Sequence, residues 1–299
     1  MQINTVTGKI DINELGETLF HEHIICTAPE FQRIFPDFPP RRMAVDIAVK
    51  KLKYAADKFG VKSIFDVTPL ALGRDTGLLK EVSEKSGVQI VSATGFYHYT
   101  SFTLYKLSVS TLTAFLLEDI ERSGVGLLKC AVDANGLTPM TEKSLEVIAD
   151  VHKHSGLPVY IHTHAASRTG VAAQEFLALH GVPAEKTVIG HVSDANEPEY
   201  PLKLLKKGCF VSVDRIHSHN AKFIFELVKS GFSDKIMVSH DHICCMDTII
   251  EKISQNAPFG LDTVHGKILP ELGRLGVGHS EIKQLTNDNI ARLFQSSFS

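Results

Sequence analysis

Short runs rich in Val, Ile and Phe recur along this chain and alternate with longer amphipathic segments, a spacing that specifies parallel strands joined by crossover helices. Eight such runs fall near 17–25, 62–68, 88–95, 125–132, 158–164, 187–192, 209–214 and 235–241. Helical candidates lie at about 42–59, 76–86, 109–123, 141–155, 170–180, 197–207, 219–231 and 265–276, with a tail helix from about 287. Eight strand–helix units predict an α/β chain folded as one (β/α)8 TIM barrel over 1–299. A barrel of this kind runs to about 250 residues as a single domain, and no Pro, Gly or Ser-rich linker divides the chain. An open doubly wound sheet is the competing architecture, but the glycine-rich phosphate turn it usually carries after its first strand is missing.

Hydrophobic residues make up 43% of the chain and charged residues 22%, enough apolar material for a large core. The net charge of −3 is spread along the sequence, which predicts neither nucleic-acid nor membrane binding. Residues 1–16 lack a basic segment followed by an apolar core, and no run approaches the roughly 18 apolar residues of a membrane span. Cys26, Cys130, Cys209, Cys244 and Cys245 are an odd set with no Cys-x-x-Cys, against both a disulfide framework and a structural zinc knot. A cytoplasmic protein is expected.

Functional groups of such a barrel sit at the carboxyl ends of its strands. The first strand, Thr18-Leu19-Phe20-His21-Glu22-His23-Ile24-Ile25, carries two histidines two residues apart. Alternation along a strand predicts His21 and His23 on one face and Phe20 and Glu22 on the other. The fourth strand ends in Lys129, the fifth in His162-Thr163-His164, the sixth in His191 and the eighth in Asp241. Taken singly, each has an ordinary explanation: histidines often end strands, and Lys129 can reach solvent along its stem. Together, imidazole and carboxylate are the ligand types of zinc and other first-row divalent ions, and four histidines with one aspartate exceed the needs of one tetrahedral catalytic ion. The set points to two ions, which can act together on a water and a substrate oxygen, as in binuclear hydrolases.

These stretches resemble the phosphotriesterase family of the amidohydrolase superfamily. The matching segments are Gly16 to His23, Leu72-Gly73-Arg74-Asp75, Thr94-Gly95-Phe96-Tyr97, Gly190-His191 with Asp194, Asp214-Arg215, Ser239-His240-Asp241 and the closing Asn289 to Phe294. The resemblance implies a binuclear centre in which His21, His23 and Asp241 hold the more buried ion and His162 and His191 the more exposed one. Lys129, carboxylated to a carbamate, would bridge the two. By its place in the family motif, His162 rather than His164 is the expected ligand, leaving His164 to line the pocket or support it. Zinc is the expected metal, with manganese, iron and cobalt open on ligand type alone. The family also implies a homodimer.

Tyr97 and Arg215 resemble a pair found in the phosphotriesterase-like lactonases, where the tyrosine lies near the metal bridge and the arginine in the substrate loop. No tryptophan is present, and the loops Arg215 to Asn220 and Asp241 to Val264 read as short. A large aromatic organophosphate usually meets several aromatic walls, which counts against it as the main substrate, and a smaller or more polar lactone, phosphorylated or not, has equal standing with a long-chain one. His98, Arg168, Arg215, His217 and Lys222 are candidates to meet an anionic group on it. The expected activity is therefore metal-dependent hydrolysis of a lactone or related carboxylic ester, by attack of a hydroxide bridging the ions with Asp241 taking its proton. Phosphotriester or amide hydrolysis at the same site is the alternative, and a small-molecule binding protein without turnover is a third reading.

Overall fold

Parallel strands are covered on both faces, which is why the predicted runs are apolar almost throughout. The computed structural model describes residues 1–28, 33–36, 40–98, 106–195, 197–216, 220–246 and 260–295. An antiparallel hairpin, β1 (Gln2–Thr5) and β2 (Gly8–Asp11), precedes the barrel. The barrel strands follow as β3 (Glu17–Cys26), β4 (Val61–Asp66), β5 (Gln89–Gly95), β6 (Leu127–Val132), β7 (Val159–Thr163), β8 (Thr187–Ile189), β9 (Phe210–Val213), β10 (Ile236–Val238) and β11 (His242–Met246). All pair in parallel, in the order β10-β9-β8-β7-β6-β5-β4-β3-β11. The connecting helices are α1 (Arg41–Phe59), α2 (Thr76–Ser86), α3 (Val109–Ser123), α4 (Pro139–Ser155), α5 (Thr169–Leu179), α6 (Glu199–Lys206) and α7 (Asn220–Leu227), followed by α8 (Leu269–Arg274), α9 (His279–Lys283) and α10 (Asn289–Gln295). Local signals start them: Thr138 caps α4 by accepting from Thr141 N (3.3 Å), and Pro139 takes the first turn.

The eighth strand is two strands. Its first half, β10, pairs with β9, and its second half, β11, pairs with β3, so the chain itself closes the barrel where the ladder changes sides. The expectation of one strand over 235–241 and a loop beyond Asp241 is corrected here: His242 to Met246 are strand. Glu22 holds the crossover. Its Oε1 accepts from Ser239 Oγ (2.7 Å), His240 N (3.0 Å) and His240 Nδ1 (2.8 Å), and its Oε2 accepts from His242 N (2.9 Å).

One side chain from each of eight strands, Phe20, Phe65, Val91, Leu127, Tyr160, Val188, Phe210 and Met237, fills the barrel interior. Ile3 and Ile12 from below, with Ile290 and Leu293 of α10, close its floor. The other strand face packs on the helices through residues such as Leu19, Ile24, Leu128, Cys130 and Ile161. Phe20 was expected on this outer face with Glu22, but it is inside. The pairing of β3 with β4 shifts between Leu19↔Ile64 and Glu22↔Asp66, three steps on one strand against two on the other. Such a bulge puts Phe20 and His21 on the same side and leaves His23 there as well. Among the described residues no helix is long and apolar enough to cross a membrane, and all five cysteines are free and buried.

Candidate metal centre

Above that apolar floor the barrel interior becomes polar. His21 Nε2 and His23 Nε2 stand 3.3 Å apart, at 3.1 and 3.2 Å from Asp241 Oδ1. His191 Nε2 lies 2.8 Å from His162 Nδ1. Each ring also has an outer nitrogen with a partner of its own. Asp214 faces His21 Nδ1 through Oδ2 (2.8 Å) and His191 Nδ1 through Oδ1 (2.6 Å), Thr68 Oγ1 faces His23 Nδ1 (2.7 Å), and Asp133 Oδ2 lies 3.6 Å from His162 Nε2. Metal-binding histidines are oriented in this way, one nitrogen held from outside and the other turned to the ion. His21, His191 and Asp241 offer ligand atoms all within 4.8 Å of one another, a group able to hold a metal ion. His164 is turned away, with its Nδ1 2.9 Å from Ser167 Oγ.

Electrostatics fit the same role. Burial works to raise the Asp241 carboxyl, but His21 and His23 outweigh it and hold it well below the usual carboxylate range. Asp214 is likewise held well below that range by His191 and His21 against its burial. His162 is driven down by burial, then by His191, and stays a neutral imidazole with a lone pair to offer. Lys129, 1% exposed, is lowered from 10.5 to about 8, mainly by burial. Its Nζ lies 4.2 Å from the ring centroid of Tyr160. A buried amine with so depressed a pKa is partly neutral near physiological pH, the form able to add carbon dioxide. Gly95 makes room for this strand, since a Cβ there would stand 2.0 Å from Lys129 O.

Three turns aim the last groups. Apart from Arg168, the non-glycine residues with positive φ among the described residues are His191 (61°), Arg215 (54°) and Asp241 (56°), just beyond the ends of β8, β9 and β10. The left-handed region costs a residue with a Cβ roughly 1–2 kcal/mol, and such strain clusters where side chains must be aimed. Arg215 donates through Nε to Asp241 Oδ2 (2.9 Å) and from its terminal nitrogen to Asp194 Oδ2 (2.9 Å). It clamps carboxylates rather than standing open for an anion. Tyr97 lies with its ring 5.0 Å from that of His162.

The other basic residues expected at an anion are also paired: His98 Nε2 is 3.2 Å from Asp133 Oδ2, and Arg168 is 2.6 Å from Glu197. Lys222 is exposed on α7, and His217 lies outside the described residues. Arg74, part of the matching Leu-Gly-Arg-Asp stretch, serves the scaffold through a 2.6 Å ion pair with Asp119. Sequence reasoning missed Tyr160, Asp133 and Thr68, which carry no spacing signal, and Asp214 appeared only as a motif residue.

Fold and site together define a parallel α/β barrel with a candidate metal centre at the carboxyl ends of its strands. The phosphotriesterase family profile matches residues 1–294, and the chain belongs to that family. It is 30% identical over 325 residues to the phosphotriesterase homology protein of Mycobacterium tuberculosis, covering 98% of each chain. It is also 30% identical over 311 residues to the aryldialkylphosphatase of Saccharolobus solfataricus, covering 97% of this chain and 98% of that one. The N-acetyltaurine hydrolase of Xenopus tropicalis is 26% identical over 80% of this chain and 84% of that one. The solved structure of the phosphotriesterase from Mycobacterium tuberculosis matches with a TM-score of 0.92 at 30% identity, covering 99% of this chain and 98% of that one.

Proposed function

We propose that this chain is a binuclear metal-dependent hydrolase that opens a lactone or a related carboxylic ester. The observation that carries the reading is that His21 and His23 each bring one nitrogen beside the Asp241 carboxylate while His162 and His191 bring one each to within 2.8 Å of one another, with every outer nitrogen facing an oxygen of its own. In this reading His21, His23 and Asp241 would hold one ion, His162 and His191 the other, and carboxylated Lys129 would serve both. Zinc, manganese, iron and cobalt all suit that donor set. Such a pair, when bound, supplies Lewis acidity and an activated water.

The chain's own groups do the rest. Asp241 accepts the proton from the attacking water, and Arg215, paired to its Oδ2, keeps the carboxylate aimed. Tyr97 donates toward the substrate carbonyl oxygen, where negative charge develops. His98 and Asp133 form a polar lip beside His162, which suits a small polar lactone better than a large aromatic ester. Amide hydrolysis is the second reading, supported by the similarity to N-acetyltaurine hydrolase.

The test is a turnover screen of metal-loaded protein against lactones of graded size and charge, an aryl phosphotriester and N-acyl amino sulfonates. The highest kcat/KM is expected on a lactone. A tenfold preference for the phosphotriester or an amide would replace the ester reading.

A further inference from the structure

Beneath the cluster lies a tyrosine that none of these steps uses. Tyr160 is fully buried on β7, two residues before His162, with its hydroxyl 2.5 Å from Asp214 Oδ2 and 2.6 Å from His21 Nδ1. The neighbouring strand is shaped to admit it, since a Cβ on Gly190 would stand 2.3 Å from the phenol oxygen. That hydroxyl has one proton and lies beside Ser212, with Asp214 and His21 as its close hydrogen-bond partners. An ionised carboxylate only accepts, so the proton goes to Asp214, and the phenol oxygen turns a lone pair toward His21. His21 Nδ1 then faces two acceptors, this oxygen and Asp214 Oδ2 at 2.8 Å, and carries the hydrogen. Nε2 has only the longer contacts, Asp241 Oδ1 at 3.1 Å and His23 Nε2 at 3.3 Å, so in the neutral ring the lone pair is left there. The face of the same aromatic ring receives the Lys129 amine.

We propose that Tyr160 is a positioning residue for the metal centre: its hydroxyl, with Asp214, locks His21 in the tautomer whose Nε2 is free for an ion, while its ring seats Lys129. The inference rests on the metal reading above. It also predicts an asymmetry. Asp214 Oδ1 is engaged separately by His191 N (3.1 Å) and His191 Nδ1 (2.6 Å), so loss of the phenol hydroxyl strikes the His21 side and spares the His162–His191 side.

Tyr160→Phe keeps the ring under Lys129 and removes only the hydroxyl. Two readouts are needed. Long-range proton–nitrogen spectra of the metal-free protein, at mildly alkaline pH, report the imidazole tautomers directly. Wild type is expected to show His21 wholly in the Nδ1–H form, and the variant a mixture. Zinc titration against a competing chelator is expected to show one of two zinc ions held about 10- to 100-fold more weakly in the variant, with the other within twofold of wild type. Gly190→Ala, which crowds the phenol oxygen off its position, should change both readouts in the same direction.

The proposal is overturned if His21 stays wholly Nδ1–H in Tyr160→Phe, or if that variant holds both zinc ions within twofold of wild type. Wild-type protein that takes up no zinc overturns the metal reading instead, and the imidazole spectrum still decides the role of Tyr160.

Discussion

On one side of the cluster His21 and His23 turn their outer nitrogens to Asp214 at 2.8 Å and Thr68 at 2.7 Å, both buried. On the other side His162 turns its outer nitrogen to Asp133, which is 3.6 Å away and 31% exposed. The difference is one of preorganisation. The buried side is fixed by short bonds in a low-dielectric interior, where unpaired polar groups are costly. The open side is fixed through His191 alone, whose Nδ1 is 2.6 Å from Asp214, and leaves His162 beside Tyr97 and His98 at the lip where a substrate would enter. On the proposed metal reading, this division would let one set of ligands keep its geometry while the other adapts to what binds.

Asp241 belongs to both sides, so its removal breaks the comparison outright. Asp241→Asn is expected to lower kcat/KM by about 10²–10⁴-fold, the usual worth of a proton-transfer group, while thermal unfolding of the metal-free protein stays cooperative. Wild-type turnover in that variant would remove Asp241 from the mechanism. Asp214→Asn withdraws the outer partner of one histidine on each side. Affinity for both ions should fall, each by about 10- to 100-fold, whereas Thr68→Val should weaken one ion alone. Metal content after stepwise chelation separates these outcomes.

Lys129 tests the buried side through stability. Its folded pKa of about 8 lies below the ordinary 10.5, with burial the largest cause. The unfolded chain therefore binds more protons between those values, and the penalty for burying the charged amine is full below about 8 and fades as pH rises toward 10.5. Lys129→Met should stabilise the metal-free protein at neutral pH by a few kcal/mol, order of magnitude, at about 1.4 kcal/mol per pKa unit. The gain should vanish at the alkaline end of that window in denaturant titrations. A gain independent of pH would mean that packing, not charge, limits this site. The smallest effect falls on the open side: Asp133→Asn should change KM several-fold and metal affinity by less than tenfold, because its 3.6 Å contact to His162 is long and partly solvated. A loss as large as that of Asp214→Asn would erase the difference between the two sides.

Much of the candidate site was legible because strands have a period of two and functional barrels use strand ends. His21 with His23, Lys129, His162, His191 and Asp241 could be found that way, and the helices followed from their amphipathic spacing. Phe20 was misplaced by the same rule, because a bulge changes the count by one residue and nothing in Leu19-Phe20-His21 announces it. His242 to Met246 read as loop because a strand that changes partners midway has no distinct composition. Tyr160 looked like any aromatic of a buried strand.

What the sequence alone determined about this protein is the alternation of strand and helix and the placing of ligand-type residues at strand ends, both set by local periodicity. Tertiary structure decided which nitrogen of each imidazole faces inward. That choice depends on Asp214, Thr68 and Tyr160, far from those histidines in the chain or separated from them by a sheet's width, and on left-handed turns at His191, Arg215 and Asp241 that only closure of the barrel enforces. A hydrogen-bond partner fixes a tautomer only when the fold brings it within about 3 Å, and no local pattern encodes that distance.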